Sequence, residues 1–173
     1  GSTIFAVGTA AAPITFTSFS DVNGTVGPED VQQWGGMVIN GFGISNKCSY
    51  NGTKRLPAKD FDLTLTDTGC DIAAEGAEGL DESYYGGVND ADSSGRMEYV
   101  VVKHTGAEVG NGDELNGISF GGVGSNTIVK NLQVYSTYDD GIEMFGGAVD
   151  FENFVALYVR DDSIDMDEGY IGT

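Results

Sequence analysis

Basic side chains are scarce in this 173-residue chain: 8 Lys and Arg stand against 27 Asp and Glu, a formal net charge of −19. Binding to phosphates or anionic headgroups depends on clusters of Lys and Arg, so nucleic acid and acidic membranes are excluded as expected partners. Histidine occurs once, at His104, and cysteine twice, at Cys48 and Cys70, which is too few for a four-ligand structural zinc site. No apolar run reaches the ~18 residues of a membrane span, so direct membrane insertion is not expected. No signal-peptide pattern opens the chain, and Ile4-Phe5 already reads as strand. Neither a Gly-x-Ser-x-Gly elbow nor a phosphate-binding loop is present. What remains is rich in glycine, 27 residues, and in Asp, both turn formers and poor helix formers, which excludes a bundle of long helices. Hydrophobic residues make up 40%, too many for a disordered acidic tail.

The chain repeats itself. Asn131 to Met144 recurs as Asn153 to Met166, with Asn, the Asp-Asp pair, Ile and Met all matching at a constant offset of 22. A looser copy lies upstream: Asn116-Gly117-Ile118 matches Asp140-Gly141-Ile142, and Glu98 to Val102 matches Lys130 to Val134. The two upstream offsets differ, which places an insertion within Thr105 to Leu115. Two short strand-like pieces per repeat, separated by Asp/Gly turns, suit one coil of a β-solenoid. Period-2 alternation then points Leu132, Val134, Ile142 and Met144 inward, with Phe154, Ala156, Ile164 and Met166 in the same places one coil on. Gln133 and Glu143 point outward, and Asn131 and Asn153 stack as an amide ladder.

In the first half, Ile14 to Thr17 and Met37 to Ile39 read as short strands. Residues 41–95, with both cysteines, many acids and few apolar runs, read as a loop excursion pinned rather than packed. One β-helix domain, or a segment of a longer one, is expected over residues 1–173.

The stretches GSTIFAVGTAAAPITFTS, DVNGTVGPEDVQQWGGMVING, MEYVVVKHTGAE, ELNGISFGGVGSNT, QVYSTYDDGIEMFGG and RDDSIDMDEG resemble secreted or surface β-helix proteins of aquatic bacteria. Their fold is similar to that of pectate lyase. The resemblance implies an all-β, right-handed parallel β-helix of about 22 residues per coil, an extracellular or cell-surface location, and no particular reaction. It also places both ends inside a longer solenoid, so the expected partner is the remainder of such a chain or another copy stacked end to end. In that location Cys48 and Cys70, which bracket a polar loop, are expected to form a disulfide.

Acidic turns are the candidate sites. Coils ~4.8 Å apart make Asp140 and Asp162 close like charges, a repulsion of about 3.5 kcal/mol at an effective dielectric of ~20. Calcium would relieve it, with Asp140, Glu143, Asp162 and Asp165 as ligands; a solvated acidic edge is the alternative. Asp21-Val22-Asn23-Gly24 resembles the opening of a calcium loop, and Asp21 and Asn23 are candidate ligands there, although the same run makes an ordinary turn. If the chain is a polysaccharide hydrolase or lyase, Asp140, Asp161 and Asp162 are its candidate catalytic groups. The Gly-His-Gly turn and Arg-Ile-Lys run of polygalacturonase-like enzymes are missing, and Arg160 reads as an ion-pair partner of Asp161 or Asp162. The lone His104 reads as structural rather than as a general base, and Trp34 as core. Tyr84 and Tyr85 are candidates for stacking on sugar rings in a carbohydrate-binding role. Asn23 and Asn51 carry glycosylation patterns. The expected function is an extracellular structural or adhesive surface protein stabilised by Ca2+, with polysaccharide as a further candidate partner.

Overall fold

The structure is a computed structural model that describes residues 2–48, 50–51, 66–67, 70, 72–76, 83–110 and 113–173. The chain opens with β1 (Ile4–Val7), β2 (Ile14–Phe16), the single-turn helix α1 (Phe19–Val22) and β3 (Met37–Asn40). Four two-residue strands follow, β4 (Tyr50–Asn51), β5 (Thr66–Asp67), β6 (Ile72–Ala73) and β7 (Tyr84–Tyr85). The second half holds β8 (Gly95–Thr105), β9 (Glu108–Gly110), β10 (Asp113–Glu114), β11 (Ile118–Gly121), β12 (Ile128–Thr137), β13 (Ile142–Phe145), β14 (Asp150–Val159) and β15 (Ile164–Asp167).

Two parallel sheets dominate. One runs β1-β8-β12-β14, with β2 also on β8; the other runs β3-β11-β13-β15. Each rung of the stack gives one edge to each sheet, so chemically equivalent residues stack in columns. Val100, Leu132 and Phe154 form one inward column, Val102, Val134 and Ala156 another. On the facing sheet Ile118, Ile142 and Ile164 align, as do Phe120, Met144 and Met166. The columns meet in one core, with Phe120 and Phe151 edge-on at 5.1 Å. Ile142 and Met144 are 1% exposed, whereas Ile164 and Met166, with a neighbouring rung on one side, are 48% and 64% exposed. Each fully buried member contributes about 1.5–3 kcal/mol by leaving water.

The long strands bend where the stack needs them to. Tyr99, Asn131 and Asn153 share one register position and all have positive φ; so do His104, Ser136 and Tyr158. Asn tolerates this left-handed conformation better than most residues, and the side-chain amide of Asn153 donates to Oδ1 of Asn131 at 3.0 Å. The inserted residues between β8 and β11 form the β9–β10 hairpin.

The segment between β3 and β8 packs more than its composition suggests. Ala74 and Tyr85 bury against Phe145, with Ile72 alongside, on the outer face of the second sheet. Gly121 leaves room for the Tyr85 ring: a Cβ there would stand 2.6 Å from its Cγ. The expected pinning exists as well, since Cys48 and Cys70 are disulfide-bonded with Cα atoms 5.1 Å apart. The segment's described core cluster is completed by Phe145 of the sheet, which a reading of the segment's own sequence could not reveal.

Candidate functional site

Three turns stack to make the acidic edge. Asn116, Asp140 and Asp162 each precede a residue whose backbone continues the ladder: Gly117 N–H donates to Asp140 O, and Gly141 N–H to Asp162 O, both at 2.8 Å. Their side chains step between rungs in the same direction. Asp140 N–H donates to Asn116 Oδ1 at 3.2 Å, and Asp162 N–H to Asp140 Oδ1 at 2.8 Å. The Asp140–Asp162 repulsion is thus eased by the Asp162 backbone N–H turned toward the Asp140 carboxylate, and the third member of the column, Asn116, adds no charge.

Beyond these turns, β13 and β15 present Glu143 and Asp165 at the same register. One carboxylate oxygen each from Asp140, Glu143 and Asp165 lie within 4.8 Å of one another, and Asp139, Asp140 and Asp161 make a second such group. Glu143 points away from the main core, as alternation requires, yet it is buried, because the segment carrying Glu75 lies over it. The Asn116 amide nitrogen reaches Glu143 Oε2 at 2.6 Å, Glu75 Oε2 at 3.1 Å and Ser119 Oγ at 3.1 Å. Two N–H groups therefore face three acceptors.

Burial pushes the Glu143 carboxyl up to about 8, and the charge of Glu75 adds to the rise. Burial likewise raises Asp140 to about 6, opposed by the Asp162 N–H and reinforced by Asp139, Asp165 and Asp161. Both groups are costly to ionise without a counter-charge. A hard divalent cation would suit such an oxygen set, and a proton held on one carboxyl is the other solution.

The other expected residues scatter. Asp162 contributes its backbone N–H, and its carboxylate belongs to neither oxygen group among the described residues. Asp21 is committed to protein donors: Lys103 Nζ at 2.7 Å, Thr17 Oγ1 at 2.8 Å and the His104 ring at 3.3 Å. The hydrogen bond from Lys103 holds its carboxyl below the ordinary value. Asn23 caps the C-terminal end of α1 with its side chain exposed. Asn51 pairs by backbone in β4, and its side chain and the rest of its glycosylation pattern lie outside the described residues.

Arg160 does not pair with Asp161 or Asp162. Its guanidinium lies over the Tyr138 ring, 5.6 Å from the centroid, and reaches the Glu29 carbonyl at 3.4 Å. His104 is buried, with Nδ1 2.6 Å from the Asp30 carbonyl. The Trp34 indole packs on the core and donates to the Lys103 carbonyl. Tyr84 and Tyr85 face opposite ways, as neighbours on a strand must. Tyr84 is exposed; Tyr85 is buried and has no ring face left for a sugar.

Tyr85 leads to a node that the sequence reading passed over. Glu168 is fully buried and accepts from Ser45 Oγ at 2.6 Å and Tyr85 hydroxyl at 2.9 Å, while Lys47 Nζ lies 2.6 Å away. Burial and the Glu168 charge push the Tyr85 hydroxyl far above its ordinary range. Glu168 also has φ of 52°, and its repeat counterparts Gly122 and Gly146 have φ of 57° and 69°. A glutamate in a column of left-handed glycines is strained. That mismatch was the available signal, visible once the repeat is aligned through Gly146.

A family model described as a pectate-lyase-like β-helix domain matches residues 1–173. No curated protein and no solved structure matches the chain.

Proposed function

As the chain belongs to the pectate-lyase-like β-helix domain family, we propose that it is a right-handed β-solenoid with coils of about 22 residues, working outside the cell as a structural or adhesive surface protein. Calcium holds its acidic edge. The observation that carries this reading is the approach of Asp140, Glu143 and Asp165 to within 4.8 Å at a half-buried position where ionisation is otherwise opposed. The Cys48–Cys70 disulfide supports an oxidising location. A covered cluster also suits a structural ion better than a polymer substrate, since residues 74–76 and 83–86 stand over the sheet that bears it.

Thermal unfolding in calcium against chelator tests this. Free ion at a hundredfold excess over Kd contributes about 2.7 kcal/mol, roughly 5–10 °C for a domain of this size. Glu143→Gln should shrink the gain. Equal melting temperatures in calcium and in chelator would sink the reading.

One observation favours cleavage of polysaccharide instead. Glu143 holds its proton at neutral pH, as a general acid must, Asp140 holds one only up to about pH 6, and Asp161 stands beside Asp140 on the exposed side. Release of reducing ends or unsaturated products from neutral and acidic polysaccharides, abolished by Asp140→Asn, would decide for the enzyme.

A further inference from the structure

A rung in a stack ordinarily touches only the rungs beside it, so stability is a sum of neighbour interactions and an end rung can open alone. One continuous segment, residues 28–46, departs from that rule. Its middle, residues 32–40, lies in the first rung with β1 and β2 and bonds to the second. The second, third and fourth rungs are β8 with β11, β12 with β13, and β14 with β15. The two ends of the segment leave the first rung and run along the stack, one past the ends of the long strands, the other past the ends of β11, β13 and β15.

The leading arm offers three successive backbone carbonyls, each to a different rung. Asp30 O lies 2.6 Å from His104 Nδ1 in the second rung. Pro28 O accepts from the buried Ser136 hydroxyl in the third, and Glu29 O accepts from the Arg160 guanidinium, just past β14, at 3.4 Å. The trailing arm makes its links backbone to backbone. Gly41 and Gly43 N–H donate to Gly121 O and Gly122 O of the second rung at 2.8 and 2.6 Å. Gly147 N–H of the third donates to Ile44 O at 2.8 Å, and Asn46 N–H donates to Glu168 O of the fourth at 2.9 Å. Such close passage needs glycine: a Cβ at Gly43 would stand 2.7 Å from Gly122 O and 2.9 Å from Gly147 Cα.

We propose that residues 28–46 are a clamp that ties the first rung to the fourth, so that the rungs open as one cooperative unit and do not peel from an end. The clamp stands on these bonds and needs neither a cation at Asp140 nor a surface role.

Native-state hydrogen exchange of the full chain in rising, sub-denaturing urea tests it, read at β8 in the second rung and at β14 and β15 in the fourth. In the wild type the slowest amides of both rungs should share one opening equilibrium and one urea slope. Ser136→Ala frees the leading arm, and Gly43→Ala lifts the trailing arm. Each should speed exchange in the fourth rung relative to the second by about tenfold, as expected for one or two lost hydrogen bonds, and give the fourth rung a shallower slope. Phe42→Ala, which trims an exposed side chain on the trailing arm, should leave the ratio unchanged. If Gly43→Ala does not fold, Ser136→Ala alone decides, because it leaves the trailing arm in place. Different slopes for the two rungs in the wild type overturn the proposal, as does a ratio unchanged in Ser136→Ala. A parallel rise in both rungs also overturns it, since the arms would then add stability without coupling one rung to another.

Discussion

Single residues settle how this chain tolerates so many carboxylates. Glu168 is the most deeply buried of those described, and its three donors hold it in a conformation that glycine occupies in the preceding rungs. Glu168→Ala should lose those bonds and keep the backbone strain, whereas Glu168→Gly loses the bonds and relieves the strain. Each lost charge-assisted bond costs about 1.5–3 kcal/mol, discounted for Lys47, which is 58% exposed. Urea unfolding should therefore rank wild type above Glu168→Gly, and Glu168→Gly above Glu168→Ala by about 1 kcal/mol. Glu143 and Asp140 behave oppositely to ordinary surface acids. Their folded pKa values, about 8 and about 6, lie above the ordinary 4.5 and 3.8. The native state then binds more protons than the unfolded chain, so their contribution is fully present below pH 4 and is lost as pH rises through 6 and 8. In chelator, stability should fall between pH 5 and pH 8, and Glu143→Gln should flatten that fall. A slope unchanged in the variant would contradict the burial of Glu143.

At the level of elements, the segment between β3 and β8 lies against the second sheet and bonds to its backbone. The Cys48–Cys70 bond closes a loop within the segment, and the Glu168 node and the seat of Tyr85 on Gly121 are among its ties to the sheet. Opening the 22-residue disulfide loop should cost about 3 kcal/mol by loop entropy. Hydrogen exchange in a Cys48→Ala/Cys70→Ala variant should rise first at residues 72–74 and 83–86, while β8, β12 and β14 keep their protection. Gly121→Ala tests the seat from the other side. The added methyl meets the Tyr85 ring, and overpacking of this kind costs about 1–3 kcal/mol. The loss should disappear when Tyr85 is shortened to Ala in the same chain; an additive double variant would mean the two do not touch.

Across the whole molecule, charge opposes compaction. A net charge of −19, with Asp139, Asp140, Glu143, Asp161 and Asp165 gathered along one edge, makes self-repulsion a property of the fold and not of any one pair. Sodium chloride raised from about 10 mM to about 0.5 M shortens the Debye length from roughly 30 Å to below 8 Å. The melting temperature in chelator should climb over that range. A melting temperature that falls with salt would show that the exposed pairs Arg96–Glu98 and Lys130–Glu152 outweigh the repulsion.

The repeat was legible in the residues themselves, because stacking equivalent side chains needs equivalent residues. The offset of 22 between Asn131 and Asn153 foretold their hydrogen bond, and alternation foretold the burial of Leu132, Val134, Ile142 and Met144. Partners drawn from outside the repeat were not legible. Glu143 reads as an outward surface acid, and it is buried because Glu75 and Tyr85 come from a segment with no periodic relation to it. Asp21 and Asn23 read as a calcium loop, and a lysine 82 residues away took the carboxylate. Arg160 reads as a partner for its acidic neighbours, but strand geometry carries it to the Tyr138 ring. Local pattern determined which side chains face the core, since the strand period is a property of the backbone. Which acids lose their water was decided only where distant segments fold over them, since desolvation depends on everything within reach and not on neighbours in sequence.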